Sequence, residues 1–148
     1  MALIHTRDEA AREGFVYIAG PYRSINGWCG VETNINTARF WAKQLVEADI
    51  PMFCPHLNSA HFEDIAPSVK EDYWLRMDFV ILSHASAIFM LPNWDTSQGA
   101  VGELARAKDW GIPDYYAQAV SSGRGLSDLV AYWATRRNRR DAILTLGG

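Results

Sequence analysis

Short β-branched and aromatic runs alternate along this chain with segments whose apolar residues recur at helical spacing, and that alternation leaves few folds open. Residues 15–20 (FVYIAG) end in Gly-Pro, as a buried strand entering a sharp turn does. Over residues 33–49, Ile35, Ala38, Trp41, Ala42, Leu45 and Val46 fall on one helical stripe that Ile50-Pro51 stops. Residues 51–56 (PMFCPH) form a second apolar run, and a polar, Pro-containing loop follows to about Ser68. Further on, a helix is expected over residues 68–85, a third strand over 86–91 and a helix over 98–110 ended by Gly111-Ile112-Pro113. An aromatic segment at 114–118, a flexible loop at 121–125 and a last helix from Leu126 to about Arg137 complete the pattern. The apolar AILTL at 142–146 reads as a fifth strand or an ordered tail. The implied architecture is a three-layer α/β/α domain, flavodoxin- or Rossmann-like, with a parallel sheet of four or five strands. Ligands of such sheets bind outside the carboxyl ends of the strands.

The 148 residues, 49% hydrophobic, suffice for one core and not for two. A single domain is expected, its core at about 15–118 and a C-terminal helix and tail at 126–148. No apolar run approaches the roughly 20 residues of a membrane span. Fourteen basic against 17 acidic residues give a formal charge of -3, which argues against nucleic acid as a partner. The terminal cluster Arg136, Arg137, Arg139 and Arg140 is the exception, and reads as a solvated helix end, an oligomer contact or a nucleic-acid contact. Cys29 and Cys54 cannot make a disulfide framework, and the N-terminal MALIHTRDEAAREG lacks the apolar core of a secretion signal, so a reducing cytoplasm is the expected compartment.

Chemistry is sought at the strand ends. The loop at 20–27 offers Gly20, Tyr22, Arg23 and backbone N–H groups, suited to a phosphate or sugar, or simply a tight turn with a surface arginine. It carries neither GxGxxG nor GxxxxGK[ST], and no cofactor is expected. Asp78 shares a helical face with Trp74, Ile81, Leu82 and Ala85, so a carboxylate interrupts an apolar stripe. Either it pairs with Arg76 or Arg106, or it holds a raised pKa of the kind a general acid needs. Ser97 is a natural N-cap, leaving the N–H groups of Gln98, Gly99 and Ala100 for an anion. Glu103 lies one turn beyond Gly99 on the same face, so its side chain leans over a residue with none of its own, unless it turns to solvent to pair with Arg106 or Arg23. His56 and Asn58 follow the second strand and could bond a base or sugar hydroxyl. His56 and His61, five apart in a loop, have little metal specificity, and no metal is expected. Trp28 reads as a rim or core residue, or as a base-stacking one.

The strand end YIAGPYR, the helical D-x-x-x-x-x-x-A of Asp78 to Ala85, and S-x-G-x-x-x-E-x-x-x-A from Ser97 to Ala107 together resemble the nucleoside 2-deoxyribosyltransferase superfamily with its nucleoside 5'-monophosphate N-glycosidase relatives. The resemblance runs from about Val16 to Pro113. It implies cleavage of the N-glycosidic bond of a (2'-deoxy)nucleoside or its 5'-monophosphate, with Glu103 as the nucleophile that forms a glycosyl-enzyme and Asp78 as the carboxyl near the departing base. It further implies that Ser97, where an aspartate serves enzymes of free nucleosides, favours a 5'-phosphate, with Arg23 on the phosphate side. Asp95 is then the competing sugar-binding position, and Tyr17 and Tyr22 are both candidate site residues. Hydrolysis and transfer to a second base stay open. A homo-oligomer is expected on the same likeness. The alternative from another class is a non-catalytic nucleotide-binding module on the same fold.

Overall fold

A computed structural model describes residues 3–118 and 123–146. In chain order the elements are α1 (Arg7–Glu13), β1 (Val16–Ala19), α2 (Gly27–Glu47), β2 (Met52–Phe53), α3 (Pro55–Asn58) and α4 (Phe62–Ile65), then α5 (Glu71–Leu82), β3 (Ala87–Met90), α6 (Gln98–Asp109), β4 (Asp114–Tyr116) and α7 (Leu126–Leu146). A single 3-10 turn, Trp94–Thr96, precedes α6. The four strands are all parallel in the order β2-β1-β3-β4, the expected three-layer α/β/α architecture with four strands rather than five among the described residues.

Alternation along the strands sends side chains to two cores. Val16, Ile18, Ala87, Phe89 and Leu91 pack with Ala38, Ala42 and Leu45 of α2 and Leu129 and Trp133 of α7. Tyr17, Ala19, Ile88 and Met90 point the other way, against Leu82 of α5 and Ala100, Leu104 and Ala107 of α6. Every residue of β1 and β3 is buried, which is why both read as continuous apolar runs rather than alternating ones. From β1 the chain crosses to one side through α2, and from β3 to the other through α6. The loops after β1 and β3 therefore diverge, and the crevice between them is the place where such a sheet takes its ligand.

Gly20 ends β1 inside this crevice. A Cβ there would stand 2.6 Å from the Leu91 Cβ and 2.8 Å from its Cδ1, so the two strand ends approach only because position 20 has no side chain. Gly20→Ala is expected to destabilise the fold by about 1–3 kcal/mol in urea denaturation, the usual cost of overpacking a filled site.

Several boundaries differ from the expectation. α2 begins at Gly27, not near residue 33, because its first turns carry exposed residues such as Trp28 that leave no apolar stripe to read. α5 starts at Glu71, after a turn through Pro67 and Ser68. The segment after β2 is the single-turn helix α3, not an extended strand to His56, and Pro55 stands at its start, where a missing N–H costs nothing. α1 lies outside the expected elements. Its Thr6–Glu9 capping box is a legible signal, but the helix is polar and apolar periodicity does not mark it. The AILTL segment is neither strand nor tail: α7 runs unbroken through the arginine cluster to Leu146, with no Gly or Pro between to stop it. Residues 121 and 122 of the expected flexible loop lie outside the described residues. No helix among the described residues is long and apolar enough to cross a membrane.

Candidate active site

Glu103 sits on the second turn of α6 facing β1, and only 7% of it is exposed. Ser97 is the N-cap of this helix, as expected, but its hydroxyl accepts the Ala100 N–H at 3.2 Å. The anion-binding N–H groups are thereby reduced from three to those of Gln98 and Gly99. A Cβ on Gly99 would lie 4.0 Å from Glu103 Oε1, so the carboxyl does project over the glycine. Neither Arg106 nor Arg23 reaches Glu103: Arg106 lies over the Phe79 ring at 5.7 Å, and Arg23 pairs with Glu71 at 3.6 Å on the surface.

Asp78 projects from α5 into the same surroundings. It is half-buried, and no cation pairs with it among the described residues. Glu103, Asp78, the Tyr17 hydroxyl and the Cys54 thiol all lie within electrostatic reach of one another. The Tyr17 hydroxyl faces the Glu103 carboxyl closely enough to favour its ionised form, yet no hydrogen bond of ordinary geometry joins them. Tyr17 Oη and Glu103 Oε2 are both buried polar atoms without a protein partner. Such atoms are costly in a core and common where a ligand binds.

Burial is the main force on these groups. It pushes Glu103 up to about 8, against the lowering influence of Tyr17 and helped by the negative charge of Asp78. It pushes Asp78 up to about 6, Cys54 up to about 11 and Tyr17 well above its ordinary range. The two carboxyls thus form a coupled pair that keeps a proton near neutrality. Burial favours the protonated form of both carboxyls, Glu103 included, whereas the family resemblance implies an ionised Glu103.

The remaining candidates divide. Tyr22 donates its hydroxyl to Glu63 at 2.9 and 3.0 Å and accepts the His61 N–H at 2.8 Å, so it fastens the loop after β1 to the segment before α4. Asn34 of α2 holds the same loop, its Nδ2 donating to the Tyr22 carbonyl at 3.0 Å and the Arg23 carbonyl at 3.3 Å; the sequence reading passed over it. His56 is 5% exposed. Its Nε2–H donates to the Pro21 carbonyl at 2.7 Å, and Nδ1 stands 3.8 Å from the Cys54 sulfur. Burial lowers its pKa, so it is a neutral prop beneath the Gly20-Pro21 turn with both nitrogens occupied, not the base- or sugar-facing group expected. Asn58 and Asp95 are exposed.

A cleft of about 530 Å³ opens at the crevice, lined by Pro21 and Arg23 after β1, Asn34 and Thr37 of α2, and Leu91 to Asn93 and Thr96 after β3. It lies at the β1–β3 divergence, and neither Asp78 nor Glu103 forms its wall. A second hollow of about 450 Å³ lies at the other end of the sheet, between Asp49-Ile50 and α7. Beside it Arg136 and Arg137 are committed inside the protein: Arg136 donates to the Glu13 carbonyl at 2.9 Å, and Arg137 pairs with Glu13 at 2.8 Å and Asp49 at 3.2 Å. These two arginines of the basic cluster are therefore ties between α7 and α1, not a nucleic-acid surface.

Comparison with curated proteins finds none that matches. Residues 14–117 match a family model described as Domain of unknown function (DUF7768), a stretch that takes in all four strands and both helices bearing the carboxyl pair, and the chain belongs to that family.

Proposed function

We propose that the protein cleaves the N-glycosidic bond of a (2'-deoxy)nucleoside or nucleoside 5'-monophosphate, by hydrolysis or transfer to another base. The observation that carries this reading is the convergence of Glu103 and Asp78, from two helices, on one partly desolvated space beside the Tyr17 hydroxyl. Glu103 attacks the anomeric carbon with an electron pair, the C1'–N bond breaks, and the departing base takes its proton from Asp78. Positive charge developing at the anomeric carbon favours ionised Glu103, and so transfers the pair's single proton to Asp78. The nearby Tyr17 hydroxyl favours the same ionisation. Water or a second base then releases the sugar.

On this reading a 5'-phosphate is taken by the Gln98 and Gly99 N–H groups and by Arg23, at the cost of loosening the exposed Arg23–Glu71 pair, a contact of under about 1 kcal/mol. The reading includes a homo-oligomer, for which exposed Trp28, Phe40 and Trp110 supply apolar surface. It also includes a cytoplasmic setting, in keeping with Cys29 and Cys54 both being free thiols.

The test is chromatography of nucleosides and 5'-monophosphates incubated with the protein, with and without an acceptor base. Free or exchanged base is expected, with mass spectrometry of the trapped glycosyl-enzyme mapping to Glu103. A label on Asp78 reverses the two roles, and no product from any substrate overturns the reading. One observation favours a second reading, a non-catalytic nucleotide-binding module: the open cleft is walled by neither carboxyl. That module would give saturable binding in calorimetry and no product after prolonged incubation.

A further inference from the structure

We propose that His61, Glu63 and Asp64 form a binding site for a first-row transition dication, with Glu32 holding the imidazole in place. One ligand atom from each of the three lies within 4.8 Å of the others. Ligands at about 2.0–2.2 Å around one ion stand about 3.3–4.2 Å apart, so rotations of the exposed Glu63 and Asp64 side chains close the cluster around a single ion.

The surroundings of His61 point the same way. Its Nε2 contacts the Glu32 carboxylate of α2, and since a carboxylate accepts, Nε2 carries the hydrogen. Nδ1 is then the ring nitrogen on the side of Glu63 and Asp64. That atom is buried and has no hydrogen-bond partner, and the nearest charged oxygen, Glu63 Oε1, faces it at 3.8 Å. The gap is too long for a hydrogen bond. A separation of 3.8 Å is a natural one for two ligands of one ion. A carboxylate behind the far nitrogen is the usual support of a metal-bound imidazole. Glu63 is itself oriented by the Tyr22 hydroxyl at 2.9 and 3.0 Å.

One imidazole with two carboxylates suits zinc or manganese better than magnesium or calcium. The bound ion would pin α4 to the loop after β1 through Glu63 and Tyr22, and so stiffen one wall of the crevice. The site stands independently of the glycosidic reading. Sequence spacing alone does not reveal it, because the supporting carboxylate comes from Glu32, far away in the chain and brought in by the packing of α2.

Titration of the chelator-treated full chain with zinc and, separately, manganese tests the proposal, in a Cys29→Ser background so that the exposed thiol does not compete. Calorimetry is expected to find one ion per chain, with a change in the fluorescence of Trp28, whose ring stacks on His61 at 4.9 Å. Asp64→Asn should weaken binding roughly tenfold or more, and Glu32→Gln roughly 10–100-fold. Asp64 is exposed and has no other side-chain hydrogen bond or ion pair among the described residues, so its variant keeps the fold. His61→Gln should abolish binding. Absence of saturable binding by either ion, or binding undiminished in Asp64→Asn and His61→Gln, overturns the proposal; the former is what an imidazolium simply ion-paired with Glu32 and Glu63 would give.

Discussion

Glu103→Gln is expected to lower the rate of base release by at least about 1,000-fold while making the fold more stable in alkaline solution. In the proposed mechanism the activity loss follows from removing the nucleophile, since an amide is no nucleophile. The gain in stability follows from linkage. The Glu103 carboxyl ionises at about 8 in the folded protein against an ordinary 4.5, so the folded chain holds a proton that the unfolded chain releases. Its contribution to stability is therefore greatest below the unfolded value, and falls as pH rises through the window from about 4.5 to about 8. The full fall is on the order of 3–5 kcal/mol, at about 1.4 kcal/mol per pH unit of displacement. Glutamine does not ionise and escapes it. Urea denaturation at pH 5 and pH 9 checks both statements: the parent should lose stability between them by much more than the variant. Equal pH dependence of the two proteins would mean that Glu103 is not buried as described.

Asp78→Asn is the second change of large effect. Loss of a general acid costs about 100- to 10,000-fold for a leaving group that needs a proton, and little for one that departs without it. The pH–rate profile separates this role from a merely structural one. In the parent the productive form is the pair with one proton, so the profile should be bell-shaped, with limbs near pH 6 and pH 8 that belong to the pair rather than to either residue. In Asp78→Asn the like charge that raises Glu103 is gone. A single ionisation should be left, displaced to lower pH, with the rate rising as Glu103 ionises. A variant that keeps both limbs would remove Asp78 from the chemistry.

Where the sequence was informative, the information was local and repetitive. The runs 15–20 and 86–91 lie on strands buried on both faces, so burial wrote itself into every residue of them. The N-cap Ser97, the smooth Gly99 beneath Glu103 and the apolar stripe of α2 are likewise properties of neighbours within a few turns. Asp78 stood out because a carboxylate among Ile81, Leu82 and Ala85 breaks a pattern. Polar segments carry the least such information. α1 and the start of α2 carry little apolar periodicity, and the end of α7 continues by helix propensity where a strand had seemed open.

The residues alone determined a doubly covered parallel sheet and two unusual carboxyls on separate helices, because periodicity and pattern-breaking are one-dimensional signals. Only the tertiary structure decided which groups meet. It brought Tyr17 and Cys54 to the carboxyl pair, turned His56 into a prop for the Gly20-Pro21 turn, and set Glu32 behind His61. It also raised both carboxyls, since desolvation depends on what surrounds a group on every side, and neighbours distant in the chain supply most of that enclosure.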